Sequence, residues 1–119
     1  MLTNLTNEMI RVIRREVESA LVENKLDLIS KDRVLGRLSK EEIETALFEY
    51  LKKGEKITHA PDDYFNSMEI IKVDQSEIPT WHIDYDLWID NRRSDLTLSL
   101  ELKEIDGVLK PFTLDLHIL

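Results

Sequence analysis

Three side chains with ligand chemistry stand in one short run, His82-x-Asp84-x-Asp86. On a β-strand, alternate positions face the same way. Their imidazole and carboxylate groups would therefore line up toward a hard metal ion. Same-face Cα atoms are about 6–7 Å apart along a strand, and no second donor cluster is assured. No metal is therefore expected. A second constellation is Asp90, Asp95 and His117. A carboxylate beside a histidine orients the ring and favours its protonated form, as in acid–base sites. Ser94 and Thr97 are near, but no evident nucleophile completes the set. The first reading is a structural cluster, in which Asp95 caps a turn and bonds to His117. Partner binding and catalysis are the alternatives. Gly-rich phosphate loops, metalloprotease helices and Walker-type patterns are absent, and no cofactor is expected.

These residues can meet only if the C-terminal third forms a sheet. Trp81, Ile83, Tyr85, Leu87 and Ile89 alternate with His82, Asp84, Asp86 and Asp90, and Trp88 interrupts the polar set. Leu96, Leu98, Leu100 and Leu102 alternate with Asp95, Thr97, Ser99, Glu101 and Lys103. Phe112, Leu114, Leu116 and Ile118 alternate with Thr113, Asp115 and His117. A period of two marks strands with one dry and one wet face, so the run from Thr80 onward predicts an antiparallel meander.

A two-residue turn at Asp106-Gly107 would place Leu98 opposite Asp115, on the wrong face. Register parity forbids that, because a one-residue slip turns every side chain over. A three-residue loop, Ile105-Asp106-Gly107, restores parity with Gly107 left-handed in a G1 bulge. It pairs Leu98 with Leu114, Leu100 with Phe112 and Leu96 with Leu116. A turn around Arg92-Arg93 pairs Leu87 with Leu98. The polar face then carries rows of Asp90, Asp95 and His117, of Trp88, Thr97 and Asp115, of Asp86, Ser99 and Thr113, and of Asp84 with Glu101. Directly opposed like charges repel, so these acids either stand screened in water or await a basic partner. Trp88 is expected beneath a loop, or as an exposed interface anchor.

With 119 residues, the chain is expected to be a single domain, 1–119. That length buries about two-thirds of its unfolded surface. There are no cysteines, which fits a reducing compartment. No secretory leader and no spanning segment is apparent, so a soluble, cytoplasmic protein is expected. The formal net charge is −8, and residues 61–119 supply all of it, with 13 acidic against 5 basic side chains. That balance argues against a nucleic-acid-binding sheet and for a basic protein partner or simple solubility.

In the N-terminal half, Thr6 or Asn7 caps a helix carrying Ile10, Ile13, Val17, Ala20 and Leu21 and ending near Asn24. Arg11, Arg14 and Arg15 lie off its dry stripe, diluted by Glu16 and Glu18, and read as a solvated face. Residues 26–38 read as a short helix or ordered loop. Ser39 and Glu42 form a capping box before a stripe of Ile43, Ala46, Leu47, Tyr50 and Leu51, with Gly54 as the stop. Residues 55–67 read as a loop and Met68–Val73 as an edge strand. The expected architecture is α+β, with two N-terminal helices packed on one face of an antiparallel meander of about four strands. The buried sheet face would be Trp81, Ile83, Tyr85, Leu87, Leu98, Leu100, Phe112 and Leu114. The helix stripe would be Ile13, Val17, Leu21, Ile43, Leu47 and Leu51.

Asp86-Leu87-Trp88, Ser94-Asp95-Leu96-Thr97-Leu98 and His117-Ile118-Leu119 form a D-L-W, S-D-L-T-L, H-I-L pattern. Over roughly the last forty residues, it resembles an uncharacterised family of small bacterial domains. That resemblance implies no activity. In general type, an acidic, cysteine-free α+β chain of this length resembles immunity proteins of contact-dependent inhibition toxin systems. Such a resemblance implies a protein-binding inhibitor of a basic toxin, a nuclease above all, and no enzyme. The surface expected to hold that partner is Asp84, Asp86, Trp88, Asp90, Asp95, Glu101 and Asp115. No nucleic acid and no membrane is expected as a partner. The alternatives are a structural or oligomeric module, including a homodimer through exposed sheet edges, and a small enzyme using Asp90, Asp95 and His117.

Overall fold

The computed structural model of the chain describes residues 2–29, 37–74 and 76–118. The expectations for residues 30–36 and for Leu119 lie outside them. Thr6 caps the first helix, accepting a hydrogen bond from the Met9 backbone N–H at 3.2 Å. That helix runs as α1 (Asn7–Val12), a π-helical segment (Ile13–Glu18) and α2 (Ser19–Val22). Asn24 ends it at φ 57°, a left-handed position that asparagine tolerates. A 3₁₀ turn follows at Leu26–Ile29. The helix α3 (Lys40–Tyr50) begins at the expected capping box, with Ser39 and Glu42 bonded reciprocally. It stops at Leu51, which turns extended, and Gly54 serves the following turn at φ +88° rather than the helix end.

The sheet holds six strands among the described residues. They are β1 (Leu2–Asn4), β2 (Ile57–Thr58), β3 (Glu69–Lys72), β4 (Thr80–Ile89), β5 (Arg92–Ile105) and β6 (Val108–Ile118). Their order is β1-β3-β4-β5-β6, with β2 also on β4, and every pairing is antiparallel. The fold is thus α+β, with N-terminal helices against an antiparallel sheet. Residues 55–67 are more than a loop, because they carry β2 and the short helix α4 (Asp62–Ser67). They fill a gap along β4, which pairs with β3 at Trp81 and His82 and with β2 only at Trp88 and Ile89. Between them, the Asp86 backbone N–H donates to the Tyr64 hydroxyl at 2.8 Å, so the donor is satisfied without a strand neighbour.

The expected registers are corrected on both hairpins. Asp90 and Asn91 form the β4–β5 turn, with φ 49° and 62°, in place of Arg92-Arg93. Asp106 and Gly107, at φ 52° and 78°, form a two-residue turn that pairs Ile105 with Val108. Positive φ at both central residues matches the turn whose twist suits a two-residue hairpin. The parity conflict is real, but an irregularity inside the strand resolves it. Leu100 pairs with Thr113 and Ser99 with Asp115, which leaves Leu114 as the extra residue of a bulge. Leu98 consequently faces Leu116 and Leu96 faces Ile118. On the other hairpin, Asp86 pairs with Thr97 and Trp88 with Arg93, so Ser94, Asp95 and Leu96 oppose Leu87 alone. The Ser94 hydroxyl donates to the Leu87 carbonyl at 2.6 Å and accepts from the Leu96 N–H at 3.2 Å, stitching that irregularity.

Ile83, Tyr85, Leu87, Leu98 and Leu100 are buried, as are Ile13, Val17, Leu21, Ile43 and Leu47, and the two sets form one core. Trp81, Leu114 and Leu51 are only half-buried. Phe112 is buried on the opposite side from the one expected. It pairs with Glu101, beneath the Lys103 ammonium, which stands 5.2 Å from the ring centre. Thr113 takes the inward place instead, its hydroxyl donating to the Ile29 carbonyl at 2.9 Å. Leu98 sits where the helix stripe meets the sheet, so Leu98→Ala should cost about 2–5 kcal/mol as a core truncation. Urea unfolding would measure it, and a cost near zero would mean that the core lies elsewhere.

Candidate functional site

The helices cover one face of the sheet and leave the other face polar. On that open face, the strands set Asp84, Ser99 and Asp115 in one row, His82, Glu101 and Phe112 in the next, and Asp86, Thr97 and His117 on the other side. Asp84 accepts from the Ser99 hydroxyl at 2.7 Å and lies 3.1 Å from His82 Nε2. His117 Nδ1 stands 2.9 Å from Asp115 Oδ2, at ion-pair distance but off the hydrogen-bond direction. Asp84 and Asp115 are exposed and Glu101 is half-exposed.

Asp86 differs from its neighbours, being 7% exposed. Its carboxylate accepts from the Thr97 hydroxyl at 2.7 Å and from Arg93 Nε at 2.8 Å. A buried carboxylate is tolerated only when so paired. The Arg93 guanidinium also lies 5.1 Å over the Tyr64 ring. Tyr64 packs edge-on against Trp88 at 5.7 Å, so α4 is the cover over this tryptophan. The Trp88 Nε1–H is buried with no partner among the described residues.

Asp90, Asp95 and His117 do not come together. Asp90 sits in its turn and accepts from the Lys56 N–H at 3.1 Å, while its own N–H donates to the Lys56 carbonyl at 2.9 Å. Asp95 accepts from the Tyr50 hydroxyl of α3, which raises the Tyr50 pKa above its ordinary value. His117 lies opposite Thr97. The predicted acidic set is therefore split, with Asp84, Glu101 and Asp115 at the centre of the open face and Asp90 and Asp95 at the hairpin end. No group of His, Asp and Glu side chains arranged for a metal ion occurs among the described residues.

The sequence reading missed a polar centre on the helix side. Glu18, the last residue of the π-helical segment, is 1% exposed. Its Oε1 accepts from Arg14 at 3.0 Å and lies 2.8 Å from His59 Nδ1. Its Oε2 accepts from the Ala60 N–H and the Tyr85 hydroxyl, both at 2.9 Å. Arg14 also bonds Asp62 at 2.8 Å and lies 4.2 Å over the Phe65 ring. Phe65 in turn stacks on Tyr85 at 5.9 Å. Helix periodicity alone places Glu18 beside Val17 at the edge of the dry stripe. The π-helical segment ends on it, and apart from Arg14 its partners lie 41, 42 and 67 positions away. Glu18→Ala should therefore cost about 3–5 kcal/mol, because it leaves buried donors unpaired. Tyr85→Phe, which removes one bond only, should cost about 1–3 kcal/mol. Thermal and urea melts would rank the two, and equal small losses would refute the scheme.

Burial pushes the Tyr64 pKa up to about 12. Burial, then the charge of Glu18, pushes that of Tyr85 further in the same direction. A hydroxyl whose folded pKa is raised contributes stability that is whole below its ordinary value of 10.0 and fades as pH rises through the folded value. Stability should accordingly fall from about pH 10 towards 12, and tyrosinate absorbance should grow together with loss of the fold. Ionisation of the buried tyrosines at pH 10 with the fold intact would contradict this.

Among the described residues, no helix is long and apolar enough to cross a membrane. A family model described as "Domain of unknown function (DUF7668)" matches residues 18–119, and the chain belongs to that family. The match extends far beyond the C-terminal forty residues that carry the motif pattern. No curated protein and no solved structure matches the chain.

Proposed function

For this member of a family whose description names no activity, we propose the role of a small acidic protein-binding inhibitor. In this reading it is a cytoplasmic immunity protein that holds a basic bacterial toxin, with a nuclease domain as the partner class. The observation that carries the reading is the open sheet face, where Asp84, Glu101 and Asp115 stand exposed or half-exposed in adjacent rows while the helices occupy the other face. Residues after position 60 hold the whole net charge of −8. A nuclease needs a cationic surface to hold phosphates, and an acidic face steers such a surface and speeds association more than it adds affinity.

The expected interface residues do not contribute alike. Asp84, Glu101 and Asp115 present charge to a partner. Asp90 and Asp95 extend the acidic surface at the hairpin end, each engaged with a neighbouring element. Asp86 already neutralises Arg93, and Trp88 lies half-buried against Tyr64, so these two shape the face more than they charge it.

The test starts from the reading frame upstream of the gene. Its product should arrest growth, and co-expression of this chain should restore it. Asp84→Lys with Asp115→Lys should slow association about tenfold at low salt and flatten its salt dependence. Glu41→Lys on α3 should bind like the parent. An upstream product that neither arrests growth nor binds would sink the immunity reading, and unchanged binding by the double reversal would remove the interface from this face.

A further inference from the structure

The arginines of the first helix form a shallow cleft on the helix side of the molecule, away from the open acidic face. It has a volume of about 280 Å³ and is lined by Arg11, Arg14, Arg15, Glu18, Ser19 and His59. We propose that this cleft, built by the π-helical turn against His59, is a binding site for a small phosphate-bearing anion.

Three of the lining residues are arginines, and Glu18, Ser19 and His59 complete the wall. The one carboxylate of the lining, Glu18, is buried, and its two oxygens are already engaged with Arg14, His59, Ala60 and Tyr85. It thus forms the floor of the cleft, where it holds Arg14 and leaves Arg11 and Arg15 to the mouth. Asp62 holds one edge of Arg14 at 2.8 Å, and Glu16 touches Arg15 at 3.4 Å on the exposed side. Arg11 has no ion-pair partner among the described residues. In a chain of net charge −8, three arginines gathered at one opening, with Arg11 left without an acid of its own, need a reason. Planar guanidinium groups recognise tetrahedral oxyanions through paired N–H donors.

Glu18 also decides what His59 offers. An ionised carboxylate is acceptor-only, so the His59 Nδ1 that faces it must carry a proton. Nε2 is then the ring nitrogen left for a ligand, on a side chain that is 58% exposed. A carboxylate behind a ligand-facing histidine is a recurrent means of fixing tautomer and ring orientation. The π-helical segment supplies the geometry. It carries Arg14, Arg15 and the buried Glu18, with Arg11 just before it on α1, all lining one opening, while Ser19 Oγ donates to the Arg14 carbonyl at 2.8 Å. Such π turns are frequent at functional positions. A space of this size admits a phosphoryl group, but it is smaller than the roughly 300–1,000 Å³ of pockets that enclose larger ligands.

Amide chemical-shift titrations of the full chain would test the site. One arm uses inorganic phosphate, a second uses glycerol 3-phosphate, and a third uses sodium chloride at matched ionic strength. Saturable shifts confined to the first helix and the surroundings of His59 are expected in the phosphate arms alone. An ester that binds about tenfold tighter than orthophosphate would identify a phosphomonoester ligand, and equal binding would identify free phosphate. Arg11 and Arg15 are exposed, so Arg11→Gln with Arg15→Gln should leave the fold intact and weaken binding about tenfold or more. Lys52→Gln with Lys53→Gln, beyond the end of α3, should change nothing. The absence of saturable shifts with either phosphate would overturn the proposal, as would binding that the arginine pair does not alter.

Discussion

A carboxylate taken out of water must be repaid in hydrogen bonds, and the fold is arranged around one such group. Glu18 meets four donors, from its own helix, from the segment before α4 and from the central strand β4. An unpaired buried charge would be prohibitive, so these elements are held to one mutual arrangement. Glu18 closes the π-helical segment of the first helix on the buried side. Arg14 extends the network outward to Asp62 and Phe65, and α4 is thereby fixed against both the first helix and the sheet.

The position of α4 then governs the edge of β4. The gap between β2 and β3 would leave a backbone donor without a partner, and the Tyr64 hydroxyl closes it. The same ring covers Trp88 and lies under Arg93, which neutralises Asp86. Burial of an acid on the helix side and neutralisation of another on the open side are therefore linked through one short helix. The acidity left on the open face belongs to the residues beyond its reach, Asp84, Glu101 and Asp115.

Composition and alternation in the sequence were enough for the α+β class, the strands β4 to β6, the capping box of α3 and most of the buried stripe. These are local signals. Period-two alternation reports burial on one face whatever the partner strand, and Ser39 with Glu42 bond within a single turn. The parity conflict between the last two strands was legible as well, since it follows from counting. Its solution was not, because a longer loop and a bulge at Leu114 satisfy the count equally. The bulge lets the two-residue turn keep its favoured twist and sends Thr113 inward to the Ile29 carbonyl.

The supposed row of Asp90, Asp95 and His117 dissolved as well, with Asp90 bonded to Lys56 from the turn, Asp95 to Tyr50 of α3, and His117 placed opposite Thr97. Only the i,i+4 spacing of Arg14 and Glu18 hinted at the Glu18 centre. Apart from Arg14, its partners lie on separate elements, and a glutamate beside a dry helical stripe ordinarily stays in water. The sequence alone determined which residues must leave water, because that depends on side-chain chemistry and local period. The tertiary structure decided which polar groups went with them, because hydrogen-bond satisfaction joins residues that the chain holds far apart.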